Sequence, residues 1–328
     1  MNFDYNEEQQ LLADSVRRYL QKDYDFEARK KILATPQGWS ERVWATFAEM
    51  GLTGLPLSTD YGGFGGGAVD LMSVMEAFGE ALVVEPYVPT VLASLLISRS
   101  GDEKQKKAIL PLVAEGKMRL ALAIGERGVI GAPMADKVVL VMGNQVRVGE
   151  ATVLKAYRTV DDLAAADIRI EGGERLEGAS APVLDEVLDF GAALSCAEAV
   201  GAMKFACDTT LEYLKTRKQF GVPIGAFQAL QHRMVDMFIA YEQAKSMACL
   251  ACSKIDSHQN AADRARAVSA AKIKIADSAR HISQESVQLH GGMGMSEELK
   301  VSHTFRRLTV LMRRFGDADH HLARFASL

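Results

Sequence analysis

The stretch KTRKQFGVPIGAFQALQHRMVDM, Lys215 to Met237, decides how the chain is read. A cation pair (Arg217, Lys218), a Gln219-Phe220-Gly221 turn and a Pro223 stop stand between two long helical patterns. Helix ends leave backbone groups unpaired, and an arginine at such a junction holds a phosphate through two parallel hydrogen bonds. The turn therefore reads either as a seat for a nucleotide diphosphate or as an ordinary connection between helices.

A second stretch, QLHGGMGMSEE from Gln288 to Glu298, separates those readings: a helical pattern stops at Gly291 and Gly292 and another begins after Ser296. R-K-x-F-G followed by Q-x-x-G-G-x-G resembles the carboxyl-terminal half of the acyl-CoA dehydrogenases. The resemblance implies that Arg217, Phe220, Gln288, Gly291, Gly292 and Gly294 form a cofactor site, with the arginine and glutamine reaching the diphosphate and adenosine of FAD across a subunit boundary. It extends over nearly the whole chain. Pro56 with Tyr61, Gly62 and Gly63 is similar to a loop of the family's amino-terminal domain, and GDEKQKKAILP, Gly101 to Pro111, matches as well. The implied fold is mainly α with a small central β domain: an N-terminal helical domain, a β domain and a C-terminal four-helix bundle.

Length and composition bound what the chain can be. At 328 residues and 48% hydrophobic content the chain can bury one large core or two to three smaller ones. A formal charge of -4 offers no broad basic surface, so nucleic acid is not an expected partner. The opening MNFDYNEEQQ is acidic where a secretory signal would be basic and then apolar, and no uninterrupted apolar run reaches the ~18 residues of a membrane span. A cytoplasmic protein is expected. Cys249 and Cys252 form a C-x-x-C, but they lie inside the helical pattern MACLACSKI with no second ligand pair, and read as buried helical cysteines.

Residues 1–118 read as helices. Asn6 precedes a pattern in which Leu11, Leu12, Val16, Tyr19 and Leu20 share a face, and Ser40 with Val43, Trp44 and Phe47 starts another. Gly63-Phe64-Gly65-Gly66-Gly67 has the look of a dinucleotide loop, yet no β-α-β pattern surrounds it. Residues 119–184 change texture. LALAI (Leu120 to Ile124), KVVLVM (Lys137 to Met142) and QVRV (Gln145 to Val148) read as strands, the last two joined by Gly143-Asn144, and Asp167 to Glu171 reads as one more before Gly172-Gly173. Residues 185–328 are helical throughout. Phe227, Leu230, Met234, Met237, Phe238, Tyr241, Ala244 and Ala248 predict the apolar stripe of one bundle helix, and Val268, Ala271, Ile275, Ala279 and Ile282 that of the next.

Against the family pattern two parts are missing. The acidic residue matched by Glu126 is followed in the family by a long excursion, including a Trp-x-Thr/Ser segment beside the flavin ring, whereas here GVIGAP leads directly to a strand. Either hairpins have been lost, or two segments are joined across an omitted one; the abruptness of VIGAPMADKVVLV favours the second. The family's base, a glutamate that takes the substrate α-proton, is absent too. In register with its usual loop stands Phe315 before Gly316, and at the alternative site upstream stands Gly191. Neither accepts a proton. Asp317 is the nearest substitute, though it is better placed to cap the last helix. Glu186 and Asp189 do not share the helix face of Gly191.

The resemblance thus implies an FAD-dependent subunit that removes hydrogens from the α and β carbons of an acyl-CoA, resembling the small subunit of heteromeric dehydrogenases acting on pimeloyl-CoA or sterol side-chain thioesters. The implied partners are the acyl-CoA, a homologous dehydrogenase subunit that supplies the base, and an electron acceptor such as an electron-transfer flavoprotein. The competing readings are a non-catalytic partner without its own flavin, and a self-sufficient enzyme using Asp317.

Overall fold

The structure, a computed structural model, describes residues 6–257 and 260–328. Six helices come first: α1 (Glu7–Asp23), α2 (Phe26–Leu33), α3 (Glu41–Glu49), α4 (Ala68–Ala81), α5 (Tyr87–Ser100) and α6 (Glu103–Ala114). Seven strands follow: β1 (Leu120–Ile124), β2 (Val129–Ile130), β3 (Lys137–Met142), β4 (Gln145–Gly149), β5 (Thr152–Arg158), β6 (Ala164–Arg169) and β7 (Glu174–Arg175). The chain then returns to helix in α7 (Ala181–Thr216), makes a hairpin of β8 (Lys218–Gln219) and β9 (Val222–Pro223), and ends in α8 (Gln228–Asp256), α9 (Ala261–His290), α10 (Lys300–Leu311) and α11 (Ala318–Ser327). The fold is mainly α with a small β region.

Local chemistry sets the helix starts. The Asn6 side chain accepts from the Gln9 N–H at 2.8 Å while the Gln9 side chain accepts from the Asn6 N–H at 2.9 Å, a capping box that satisfies two orphan donors of α1. Asp102 and Gln105 repeat the device on α6, and Ser40 caps α3, whose Val43, Trp44 and Phe47 are buried as their spacing predicts.

By internal contact the chain divides into two compact units, one holding the described residues of Met1–Phe26, Met72–Val83 and Ala192–Leu328, the other Glu27–Leu71 and Val84–Gly191. The division runs across the sequence segments, because α4 and α7 each contribute to both units.

In the second unit one sheet has the order β1-β3-β4-β7 and another the order β2-β6-β5. β1 and β3 run parallel, and β3 turns into β4 through Gly143-Asn144 with Met142 opposite Gln145. Ala121, Ala123, Val129, Val138, Leu140, Ala166 and Ile168 from both sheets share one apolar cluster. β5 is a strand that the sequence reading passed over.

The expectation of an omitted segment is corrected here. After Glu126 the chain enters β2, which pairs with β6 (Val129 opposite Ala166), and the Gly131 N–H donates to the Ala164 carbonyl at 2.9 Å. Val129, Ala132 and Met134 are all buried. The connection from β1 to β3 is therefore a folded part of the core and not a splice.

In the first unit α9 presents Val268, Ala271, Ile275, Ala279 and Ile282 to the interior as expected. The stripe on α8 splits: Met237, Ala244 and Ala248 are buried, but Phe227 and Phe238 are 39% and 55% exposed. Cys249 and Cys252 are buried, and loss of solvation pushes both thiols up, so they are poor nucleophiles. By length and composition α7 could cross a membrane, but 89% of its apolar window is buried inside the chain, as in the core helix of a bundle.

α4 meets α7 at two glycines. A Cβ on Gly201 would lie 1.8 Å from the Glu76 carbonyl oxygen, and one on Gly79 would lie 1.8 Å from that of Glu198. Backbone oxygens cannot yield as a side-chain end can. Gly201→Ala is expected to destabilise the fold by roughly 1–3 kcal/mol or more, read as a lower urea midpoint; an unchanged midpoint would show that the helices can separate freely.

Candidate functional site

The Arg217 turn is a two-residue hairpin, with Lys218 opposite Pro223 and Gln219 opposite Val222. Its central residues, Phe220 (φ 55°) and Gly221 (φ 81°), are both left-handed, as a type I′ turn requires. Glycine adopts this at no steric cost; phenylalanine does not, and its side chain is 90% exposed. Strain that displays an aromatic ring to water points to a binding role. The exposed Arg217 is fixed at its backbone, donating to the Tyr213 carbonyl and accepting from the Ile224 N–H, both at 2.8 Å. Among the described residues its guanidinium has no hydrogen-bonding partner.

Gln288 lies exposed in the last turn of α9, and its carbonyl accepts from the Gly291 N–H. Gly291 has φ 62°, and a Cβ on Gly291 or Gly292 would meet nothing within 4 Å, so the backbone here is open to a ligand. Gly294 has the opposite reason to be glycine. A Cβ there would lie 2.4 Å from the Val287 carbonyl oxygen.

Two contacts absent from the sequence reading bring these turns to one end of the helical unit. The Tyr213 ring stacks on His290 with centroids 4.4 Å apart, and the Thr210 and Ser286 hydroxyls are 2.9 Å apart in the interior. Tyr213 stands one helical turn before Arg217, and His290 shortly after Gln288. Burial holds the His290 imidazole below its ordinary pKa. The same part of the chain carries exposed apolar side chains: Val222 (40%), Val235 (53%), Ile239 (48%), Met293 (47%) and Met295 (59%), besides Phe220 and Phe238.

At the expected base positions, Gly191 is buried inside α7 and Phe315 sits half-buried in the turn after α10 with φ 59°. That turn is fixed from beneath. The buried Lys272 ammonium donates to the Leu311 and Arg314 carbonyls at 2.9 and 2.7 Å, and His321 Nε2 lies 3.0 Å from the Phe315 carbonyl oxygen. Burial pushes the His321 imidazole down to about 4, so at neutral pH it is an uncharged donor. Asp317 caps α11, accepting from the His320 N–H at 2.9 Å, and this bond holds its carboxyl below the usual range. A carboxylate so held is a weaker base. Glu186 is tied to Arg99 at 3.0 Å, and Asp189 is buried.

The two turns, at Arg217 and at Gly291–Gly294, lie at one end of a helical unit, with exposed side chains and open backbone. The chain belongs to the acyl-CoA dehydrogenase family: residues 6–117 match the acyl-CoA dehydrogenase N-terminal domain and residues 181–326 the C-terminal domain. Acyl-CoA dehydrogenase IpdE2 of Mycobacterium tuberculosis is 29% identical over 304 residues, covering 92% of this chain and 91% of that one. IpdE2 of Mycolicibacterium smegmatis is 27% identical over 321 residues, covering 97% and 98%. Among solved structures, a chain of the ChsE4-ChsE5 complex from Mycobacterium tuberculosis superposes with a TM-score of 0.90 at 21% identity, covering 100% of this chain and 98% of that one. That likeness is one of fold.

FAD is the family's cofactor, and this chain fits one end of it. The unengaged guanidinium of Arg217 and the open backbone at Gly291 and Gly292 suit a diphosphate and its nucleoside. At the place where the family's ring-side segment was expected, the residues between Gly128 and Ala135 are folded into the core as β2 and the turn after it.

Proposed function

We propose that this chain is the base-lacking subunit of a heteromeric FAD-dependent acyl-CoA dehydrogenase, which converts an acyl-CoA thioester to the trans-2-enoyl-CoA and passes electrons to an acceptor such as an electron-transfer flavoprotein. The observation that carries the reading is the pair of base positions: a phenylalanine and a buried glycine occupy them, and the nearest carboxylate, Asp317, is engaged as a helix cap. When bound, the flavin takes the β-hydrogen as a hydride. The α-proton then needs a carboxylate that a homologous subunit supplies. On this reading Arg217 pairs with the diphosphate, Gln288 and the Gly291–Gly294 turn line the adenosine, and the strained Phe220 packs against the shared site. The exposed apolar residues beside them suit a protein partner. The association of two chains in the ChsE4-ChsE5 complex is a precedent for such an assembly. Reconstitution tests the proposal: activity from the mixed subunits and none from this chain alone.

For the assembled enzyme, Arg217→Ala is expected to weaken FAD retention by about ten- to a hundred-fold, since a charge-assisted bidentate contact contributes roughly 1.5–3 kcal/mol. The measurement is flavin released on dilution, followed by fluorescence. Unchanged release would remove Arg217 from the site. Lys218, a solvated point charge, should tolerate the same change.

A further inference from the structure

The turns at Arg217 and at Gly291–Gly294 stand on a closed ring of four side chains. Thr210 and Tyr213 lie one helical turn apart on α7, and Ser286 and His290 one turn apart on α9, so each pair shares a face of its helix. The hydroxyls of Thr210 and Ser286 make one rung between the helices, and the stack of Tyr213 on His290, with ring planes 28° apart, makes the other. The protons can be placed. Thr210 Oγ1 donates to the Ala206 carbonyl at 2.6 Å, which leaves the Ser286 hydroxyl as the donor to Thr210. His290 Nδ1 lies 2.8 Å from the Ser286 carbonyl oxygen, which can only accept, so the imidazole carries a proton there and its plane is fixed. Thr210, Ser286 and His290 are all buried.

The aromatic rung leads straight into both turns. The Tyr213 carbonyl accepts the Arg217 N–H, and His290 is followed by Gly291, whose N–H closes on the Gln288 carbonyl. Among the described residues the Tyr213 hydroxyl makes no hydrogen bond, so its side chain acts here through the ring. Sliding one turn past the other would break the stack and strain the buried hydrogen bonds beneath it, whose loss leaves polar groups without water.

We propose that Tyr213 and His290 are positioning residues for FAD: their stack sets the spacing between the Arg217 guanidinium and the Gln288–Gly294 turn, so that one nucleotide engages both. The inference rests on the FAD assignment proposed above and is independent of which subunit supplies the base. A ligand gripped at two points binds tightly only if both are in place before it arrives, because any ordering needed afterwards is subtracted from the affinity.

The test is FAD retention by the assembled enzyme, read as the fluorescence of flavin released on dilution. Tyr213→Leu is expected to weaken retention about three- to tenfold, the range a stacked aromatic pair supports. Tyr213→Phe keeps the ring and is expected to hold FAD as the wild type does. The decisive measurement is the overlap with Arg217→Ala. Once the guanidinium is gone the stack has little left to place, so the double variant Tyr213→Leu, Arg217→Ala should retain FAD within about threefold of Arg217→Ala alone. A general loss of stability would not produce that overlap. If Tyr213→Leu does not assemble, His290→Gln takes its place, since it removes the other ring and keeps a donor for the Ser286 carbonyl. Wild-type retention in Tyr213→Leu, equal losses in Tyr213→Leu and Tyr213→Phe, or losses that multiply in the double variant would each overturn the proposal and leave the FAD assignment standing. Wild-type retention in Arg217→Ala would overturn the assignment, and the proposal with it.

Discussion

Purified without its partner, this chain is expected to leave every acyl-CoA thioester unoxidised, with α,β-dehydrogenation appearing on mixing or co-expression with a homologous subunit that carries the family's glutamate. A positioned base contributes roughly 10²- to 10⁴-fold in rate, or about 3 to 5.5 kcal/mol of barrier, so its absence is not a matter of tuning. The alternative is sharp. If Asp317 were the base, Asp317→Asn would abolish turnover without loss of folding. The cap geometry, with the Asp317 carboxylate on the His320 N–H at 2.9 Å, predicts a different outcome. Asparagine also caps helices, so Asp317→Asn should cost little stability and leave the mixed enzyme's rate within about twofold. The assay is reduction of an artificial electron acceptor by each subunit and by the mixture. Turnover by this chain alone that vanishes in Asp317→Asn would make Asp317 the base and end the heteromeric argument.

What the sequence made legible divides along a physical line. Helix starts were readable because a cap acts within three or four residues: Asn6 with Gln9 and Ser40 with Val43 are where the pattern put them. The turns at Arg217 and at Gly291–Gly294 were readable as motifs, since glycines and an arginine at helix ends leave a local signature. Their proximity was not. It depends on Tyr213 against His290 and Thr210 against Ser286, contacts between residues 76 or 77 apart that no local pattern announces. β5 was missed because no glycine or proline follows TVLKAYR to mark its end; the residue that turns the chain into β6 is Asp162, at φ 72°. The α8 stripe misled in the opposite direction. Phe227 and Phe238 have the period of a core helix, yet they face outward, because periodicity reports which residues share a face and not whether the partner on that face belongs to the same chain.

The largest effect on stability should come from a residue that no motif marked. Glu198 on α7 is buried (4% exposed), with Oε1 2.5 Å from Arg307 Nη1 and Oε2 3.4 Å from Arg314 Nη1, and Arg307, itself 2% exposed, also donates to the Val83 carbonyl at 3.1 Å. The carboxylate therefore links α7 to α10 and to the turn that holds Phe315, next to the close crossing at Gly79 and Gly201. Pairing two charges in the interior gains little over a good apolar contact, because both give up their hydration; removing one of them leaves the other charged and without water. Glu198→Gln keeps the volume and removes the charge, and is expected to destabilise the fold by about 3–5 kcal/mol, a large part of the stability of an ordinary domain. The companion Arg307→Met should cost a similar amount alone. The double substitution should recover part of the summed loss, because it strands one cation, Arg314 (10% exposed), where Glu198→Gln alone strands two. Urea unfolding of the four proteins closes the cycle. Additive losses, with no recovery in the double variant, would mean that Glu198 and Arg307 act on stability separately and that the carboxylate does not hold the Phe315 turn in place.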